Sequence, residues 1–241
     1  MSDQVLRRIL IKISGEFFLE KRELSSKNSF IVEFLNDVKQ VSQKLKMQLA
    51  IVVGGGNLIR GCHESFSGQR VQRISADRMG MLATMINAIA LSDLLDGIGV
   101  SNMVASSRSV DGILEALTPE VVNHYLNSGK VVIFSGGTGN CFVTTDYAAS
   151  LRAVEINADI LLKASNVSYV YDKDPKKFDR VQKFDRLSFA DAIQQELAIM
   201  DLSALIQCRD FDIPICVFNM REPKVILNIL KGKKIGTLIK N

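Results

Sequence analysis

Short unbroken apolar runs alternate along the chain with longer stretches of helical spacing. Residues 9–13, apolar apart from Lys12, predict a strand that runs out into Ser14-Gly15. Phe30, Phe34, Val38, Val41 and Leu45 recur at three- and four-residue intervals and predict a helix over 30–45. Residues 49–53 predict a second strand, stopping at Gly54-Gly55-Gly56-Asn57, and a long helix rich in Met, Ala and Leu is expected over 77–95. A short strand follows at 103–105. Thr118-Pro119-Glu120 has the order of an N-cap, a first-turn proline and an acidic first turn, and that helix stops near Gly129. Residues 130–134 are a strand ending in Ser135-Gly136-Gly137-Thr138-Gly139-Asn140, Thr145-Asp146 opens a helix to about Asn157, and 160–162 begin another strand. Beyond a loop at 172–175 come helices near Phe189 and over 202–210, a strand at 215–218, and a last helix and strand.

Several of these strands are apolar without alternation, which argues that both faces of a mainly parallel sheet are covered by helices. The expected fold is a three-layer α/β sandwich, one domain over 1–241, with no internal repeat or low-complexity linker. The 77–95 helix carries Met79, Met81, Leu82, Met85, Ile86, Ile89, Leu91, Leu94 and Leu95, more than the single stripe a surface helix needs. A homo-oligomer is therefore expected.

Composition removes several function classes. Hydrophobic residues are 47% and charged residues 23%, which excludes disorder. Thirty Lys+Arg against 26 Asp+Glu give +4, too small and scattered an excess for nucleic-acid binding. Lys231, Lys233 and Lys234 read as a solvated helix end. The four cysteines (Cys62, Cys141, Cys208, Cys216) form no Cys-x-x-Cys pair, and His63 and His124 lie in no ligand-like spacing, so no protein metal site is expected. No run approaches the roughly 20 apolar residues of a membrane span, and Lys12 interrupts the apolar run after Arg7-Arg8, against a secretory signal. A reduced, cytoplasmic protein is the expectation.

In an open parallel sheet, ligands collect at the carboxyl ends of the strands. Three such ends are glycine-bearing here: Lys12-Ile13-Ser14-Gly15, Gly54-Gly55-Gly56-Asn57 and Gly136-Gly137-Thr138-Gly139-Asn140. Together they suggest a phosphate-binding crevice. There is no Gly-x-x-x-x-Gly-Lys-Ser/Thr, and Ile59 and Phe142 occupy the third-glycine places of a dinucleotide fingerprint. Cys208-Arg209-Asp210 lacks the asparagine of a protein-kinase catalytic loop, with Ile215 in its place. Lys12 and Lys163 each interrupt a buried strand. A single such lysine can snorkel, but two suggest a shared polyanion, such as a phosphoryl group in transfer. Asp146 alone reads as a helix cap; beside two lysines it can also orient both.

These residues carry a resemblance to the bacterial uridylate kinases of the amino-acid-kinase fold. It rests on Lys12-Ile13-Ser14-Gly15-Glu16, Gly54-Gly55-Gly56-Asn57-Leu58-Ile59-Arg60-Gly61, Ala76-Asp77-Arg78-Met79-Gly80-Met81-Leu82-Ala83-Thr84 and Gly137-Thr138-Gly139-Asn140 through Thr144-Thr145-Asp146. Val170-Tyr171-Asp172-Lys173-Asp174-Pro175, Met200-Asp201-Leu202 and Pro214-Ile215-Cys216-Val217-Phe218-Asn219-Met220 extend it, in order, over nearly the whole chain. The resemblance implies transfer of the ATP γ-phosphoryl to UMP with Mg²⁺, in a cytoplasmic homohexamer of pyrimidine nucleotide synthesis inhibited by UTP. It implies an N-terminal part on the acceptor side and a C-terminal part on the ATP side. Lys12, Lys163 and Asp146 would be catalytic. Lys12, Ile13, Ser14, Gly15, Gly56 and Arg60 would meet the ATP phosphates, and Ser165, Tyr171 and Asp174 its nucleoside end. Gly55, Asp77, Thr138, Gly139, Asn140, Cys141, Phe142, Val143, Thr144 and Thr145 would hold UMP.

The chain departs from the pattern at four places. Cys141 stands where proline is usual, Ser165 where threonine is, and Ser168-Tyr169 where Asp-Gly is. Residues 19–24 lack the glycine-bearing stretch linked to GTP activation, so GTP control is not expected. A kinase with another small acceptor, or an ATP-binding storage or sensor protein on the same scaffold, are the alternatives. The second would be expected to lose Lys12, Lys163 or Asp146, and all three are present.

Overall fold

The computed structural model describes residues 6–18, 30–59, 65–66, 69–175, 177–178 and 180–241. The chain runs β1 (Arg8–Ile13), α1 (Phe30–Lys39), β2 (Gln48–Val53), the short β3 (Ser65–Phe66) and β4 (Gln69–Arg70), α2 (Arg73–Gly97), β5 (Asn102–Ser106), α3 (Pro119–Asn127) and β6 (Val131–Ser135). It continues with α4 (Thr145–Glu155), β7 (Ile160–Ser165), β8 (Val170–Tyr171), β9 (Lys183–Phe184) and β10 (Arg186–Ser188). The last elements are α5 (Phe189–Gln194), α6 (Leu202–Asp210), β11 (Ile215–Asn219), α7 (Val225–Leu230) and β12 (Thr237–Lys240).

Eight strands form one sheet in the order β10-β12-β11-β7-β1-β2-β6-β5. Every neighbouring pair is parallel except β11 and β12. Parallel strands need crossovers, and these cover both faces. On one face Ile9, Ile11 and Ile13 pack with Phe34, Val38, Leu91, Leu95, Ile226 and Ile229 from α1, α2 and α7. On the other, Leu10, Ala50 and Val52 pack with Leu126, Ala149, Phe189 and Leu205 from α3 to α6. This is the three-layer sandwich the unbroken apolar runs predicted. The chain order reverses at β1, with β2 on one side and β7 on the other, so the ends of β1, β2, β6, β7 and β11 open together at a topological switch point.

Several boundaries differ from expectation, each for a local reason. The first helix ends at Lys39 and widens into a π-helical turn over Gln40–Lys44. The Leu45 N–H reaches back five residues to the Gln40 carbonyl at 3.0 Å, and Ser42 Oγ donates to the Val38 carbonyl at 2.9 Å. The wider turn rotates Leu45 off the apolar stripe, leaving it 46% exposed while Val41 is buried. Helix α2 starts at Arg73, not Asp77, and an Arg73–Asp77 ion pair at 2.8 Å spans its first turn. Thr118 holds the N-cap position of α3, but its side chain accepts no backbone N–H. Helix α4 is capped by Thr144, whose Oγ1 accepts from the N–H groups of Asp146 (3.1 Å) and Tyr147 (3.4 Å), so Asp146 is in the first turn rather than the cap. Helix α2 also corrects the expectation about apolar length: with a mean hydropathy of 1.3 over 18 residues it has the length and composition to cross a membrane. Here it is a core helix, with Ala83, Ala88, Leu91 and Leu95 buried against the sheet.

One buried carboxyl has a structural task. Asp37 of α1 accepts the Ile226 N–H at 3.1 Å, in the first turn of α7. Lys224, which precedes α7, is left-handed (φ 54°) and caps nothing with its side chain, so Asp37 caps that helix from across the fold. Burial pushes the Asp37 pKa up to about 6, against the backbone N–H groups of Ile226 and Leu227 that lower it. A carboxyl raised in this way stabilises fully below its unfolded pKa of about 4, and that contribution is lost as pH rises through about 6. Asp37→Asn should therefore gain on the order of 2 kcal/mol over wild type at pH 7.5, and almost nothing at pH 4. Urea unfolding at the two pH values reads the difference, and equal differences at both would refute it.

Candidate active site

Lys12 of β1 and Lys163 of β7 are direct register partners in adjacent parallel strands. The two-residue period sends Lys12 to the same face as Leu10, where α4 begins. Two ammonium groups side by side repel, and the Asp146 carboxylate lies between them. Lys12 Nζ is 2.8 Å from Oδ1, and Lys163 Nζ is 2.6 Å from Oδ2. The three side chains are only 10–16% exposed. Lys163 Nζ also donates to the Ile199 carbonyl. Burial pushes the Asp146 carboxyl up, but the two lysines more than offset this and hold it below the usual carboxylate range. Burial depresses the Lys163 ammonium, Asp146 pulls it back, and Lys12 opposes that recovery, so it stays below the usual lysine range. Asp201 adds a weaker attraction on Lys163, so the two ammonium groups share one close carboxylate in a place with little water. Such a site is completed by an anion.

Two cavities adjoin this cluster, and a third lies by the start of α4. One of about 250 Å³ is lined by both lysines with Ser14, Glu16, Phe30, Ser165, Asn166, Met220 and Arg221. It meets a second, of about 480 Å³, at Lys163 and Ser165; that cavity is bounded by Tyr169, Tyr171, Asp174, Leu197, Ile199 and Val217. A third, of about 360 Å³, lies over the ends of β2 and β6 and the start of α4. Gly55, Gly56, Arg73, Asp77, Thr84, Thr138, Asn140, Val143, Thr144 and Thr145 line it.

The glycines have separate tasks. A Cβ on Gly55 would lie 2.8 Å from the Gly80 carbonyl and 2.9 Å from Ala83 Cβ, so this glycine lets α2 pack on the strand end. A Cβ on Gly56 would meet nothing within 4 Å, so there the backbone is open toward the cavity. The loop after β6 is held from three sides. Its Gly136 N–H donates to Thr84 Oγ1 (2.7 Å), Ser107 Oγ donates to the Gly136 carbonyl (2.6 Å), and Arg108 donates to the Gly139 carbonyl (3.0 and 3.3 Å). The Phe142 N–H donates to Asp77 Oδ2 at 2.8 Å, and Thr144 Oγ1 donates to Asp201.

Residues 7–219 match the amino acid kinase family. The uridylate kinase of Francisella tularensis subsp. holarctica is 46% identical over 234 residues, 97% of this chain and 93% of that one. That of Coxiella burnetii is 43% identical over 233 residues, 97% and 95% of the two chains. The chain belongs to the amino acid kinase family, among its uridylate kinases. The solved UMP kinase of Bacillus anthracis superposes with a TM-score of 0.88 at 34% identity, covering 98% of this chain and 97% of that one.

Within this uridylate kinase fold, most of the expected site residues come together. Lys12, Ser14, Lys163 and Ser165 share one cavity, and Ser165, Tyr171 and Asp174 share the adjoining one. Gly55, Asp77, Thr138, Asn140, Val143, Thr144 and Thr145 line the third, joined there by Gly56, which was expected on the ATP side. The Ile13 side chain is buried in the core, so only its backbone can serve a ligand, and Gly15 is likewise buried. Gly139 and Cys141 border a different cavity of about 520 Å³ beside Arg78 and Arg108, which Asn140 also lines, and the Phe142 side chain is 66% exposed. Arg60, His63, Cys62 and residues 19–24 lie outside the described residues. His124 is exposed on α3. Ser168-Tyr169 makes its bend without positive φ; Ser168 Oγ donates to Glu222 at 2.7 Å, and Lys183 lies 4.2 Å from the Tyr169 ring centroid. Sequence reasoning assigned no task to Arg73, Arg108, Asn166, Asp201 or Arg221.

Proposed function

We propose that the chain transfers the γ-phosphoryl of ATP to UMP, reversibly giving ADP and UDP, as a step of pyrimidine nucleotide synthesis. The observation that carries this reading is the buried Lys12–Asp146–Lys163 cluster between donor-side and acceptor-side cavities. ATP takes its phosphates to Lys12, the backbone of Ile13, Ser14 and Gly15, and Gly56 and Arg60, and its nucleoside to Ser165, Tyr171 and Asp174. UMP takes Gly55, Asp77 and the loop Thr138, Gly139, Asn140, Cys141, Phe142, Val143, Thr144 and Thr145. A carboxylate repels phosphate, so Asp77 serves the ribose hydroxyls. The start of α4, which borders the acceptor-side cavity at Thr144 and Thr145, presents the positive end of its dipole to the UMP phosphate.

The accepting atom is a phosphate oxygen, mostly deprotonated at neutral pH because its second pKa is about 6. No general base is required. The protein's task is to cancel the repulsion of two anions and align them, which the two lysines do while Asp146 fixes their separation. Among the described residues no three His, Cys, Asp or Glu side chains converge on a metal position. Mg²⁺ arriving with ATP would take phosphate oxygens, water and one or two carboxylates. Glu16, which lines the lysine cavity, fits as that carboxylate, and the bound ion would add to the charge neutralisation.

The test is ADP release by the purified chain with Mg²⁺-ATP and UMP, CMP or dUMP. UMP should turn over, with CMP at least about tenfold slower, since a hydrogen-bonding pocket rejects a mismatched base edge. Equal rates would refute UMP selectivity, and no turnover would refute the kinase reading.

The proposal includes one domain over 1–241, its N-terminal part serving the acceptor and its C-terminal part ATP, in a cytoplasmic homohexamer inhibited by UTP. The unused apolar face of α2 supports assembly: Leu82, Ile86 and Ile89 are 52%, 58% and 42% exposed at helical spacing. Ile86→Glu should lower the mass measured by light scattering at least twofold. An unchanged mass would remove α2 from the interface. Cys141, Cys208 and Cys216 are free thiols, and burial pushes Cys208 and Cys216 up to about 12, which leaves those two unreactive.

A further inference from the structure

We infer that Arg221 binds the triphosphate of the donor nucleotide, with Phe30 as the positioning residue that holds it there; this rests on the kinase reading above. Arg221 follows the end of β11 on the open edge of the sheet, and its backbone N–H is fixed by Asn219 Oδ1 at 3.0 Å. Its guanidinium carbon lies 4.9 Å from the ring centroid of Phe30, the first residue of α1. Phe30 in turn meets Phe17 edge-on at 5.8 Å, and Phe17, 3% exposed, meets Phe34 at 5.1 Å. The guanidinium thus rests on an aromatic platform anchored in the core.

Arg221 and Phe30 both line the 250 Å³ cavity that holds Lys12 and Lys163. The described residues lining that cavity include three cations, Lys12, Lys163 and Arg221, and one carboxylate, Glu16, which accepts from Asn166 Nδ2 at 2.7 Å. Lys12, Lys163 and Arg221 thus line one cavity on the donor side of the cluster. A guanidinium placed over a ring carries a planar fork of N–H donors that suits bidentate contact with a phosphate. Arg221 does not line the acceptor-side cavity. Its contribution should fall on ATP alone, and on ATP's phosphates rather than its nucleoside.

Calorimetric titration with ATP and with AMP separates these parts. Arg221→Gln should weaken ATP about tenfold and AMP less than about twofold, the loss expected for one charge-assisted contact. Arg221→Lys should recover part of the loss, and Phe30→Leu, which keeps the charge and removes the platform, should fall between wild type and Arg221→Gln. Under turnover, Arg221→Gln should raise KM for ATP by the same factor and leave KM for UMP unchanged. ATP affinity within twofold of wild type, or equal losses for ATP and AMP, would overturn the inference. A wild type that binds ATP without phosphorylating UMP would sink the kinase reading instead, and the ATP-to-AMP ratio would still decide the role of Arg221.

Discussion

Lys12→Ala should lower kcat by two to three orders of magnitude and leave KM for both nucleotides within a few-fold. The size is that of removing one preorganised donor from the position where charge develops. It falls on kcat because Lys12 matters most when donor and acceptor are pressed together, whereas each nucleotide keeps its other contacts beforehand. Lys163 cannot substitute. It is held in its own strand by Asp146 and the Ile199 carbonyl. The truncated side chain also leaves Asp146 Oδ1 without its 2.8 Å partner, so the remaining lysine is the more fully neutralised. Steady-state kinetics with each nucleotide varied in turn give the split between kcat and KM. Turnover within a few-fold of wild type would remove Lys12 from the reaction.

The two lysines were legible in the sequence because each breaks a pattern. A charged residue inside a run that must be buried on both faces needs a partner, and the register pairing of Lys12 with Lys163 supplies the shared one. Asp146 was ambiguous, since an aspartate after Thr144-Thr145 at a helix start has two ordinary readings, and only tertiary geometry separates them. Arg108, Asp201 and Arg221 broke no pattern. Arg108 and Arg221 are polar residues beside polar neighbours, Asp201 is a lone charge at a helix start, and their tasks arise from what the fold brings beside them. The same holds for the loop after β6. It has no period, so only the family resemblance pointed Thr138 and Asn140 toward the acceptor, and nothing marked the Phe142 side chain as exposed. The strands of the large sheet other than β10 were read well because an unbroken apolar run has few alternatives between glycine-rich stops. The π-turn after α1 was hidden because Leu45 fits an α-helical stripe that the backbone does not continue. Asp37 was hidden for the opposite reason, as a polar residue on a helix whose burial depends on α7, far along the chain.

Asp146→Asn should lower Tm on the order of 10 °C at neutral pH, and a nucleotide triphosphate should return more of that loss than it adds to wild type. Breaking a buried ion pair from one side costs about 3–5 kcal/mol, because the partner charge remains without compensation. Here two such charges remain, in adjacent strands and 10–14% exposed. For a chain of this size each kcal/mol is worth roughly 2–4 °C, and the amide oxygen can still accept from one lysine, which favours the lower end. The sign with pH follows from Lys163. Burial already depresses it, and Asp146 is the group that restores it, so the substitution deepens the depression. A lysine depressed in the folded state stabilises fully above its unfolded pKa of about 10.4, and that contribution is lost as pH falls through the folded value. The deficit of the variant should therefore be largest near neutrality and shrink toward pH 10. Added ATP or tripolyphosphate supplies the missing negative charge to the folded state alone, so its stabilisation should exceed that of wild type at equal concentration. A Tm within 2 °C of wild type would mean that the lysines find their counter-charge elsewhere. Equal rescue of both proteins would mean that the anion does not sit between them.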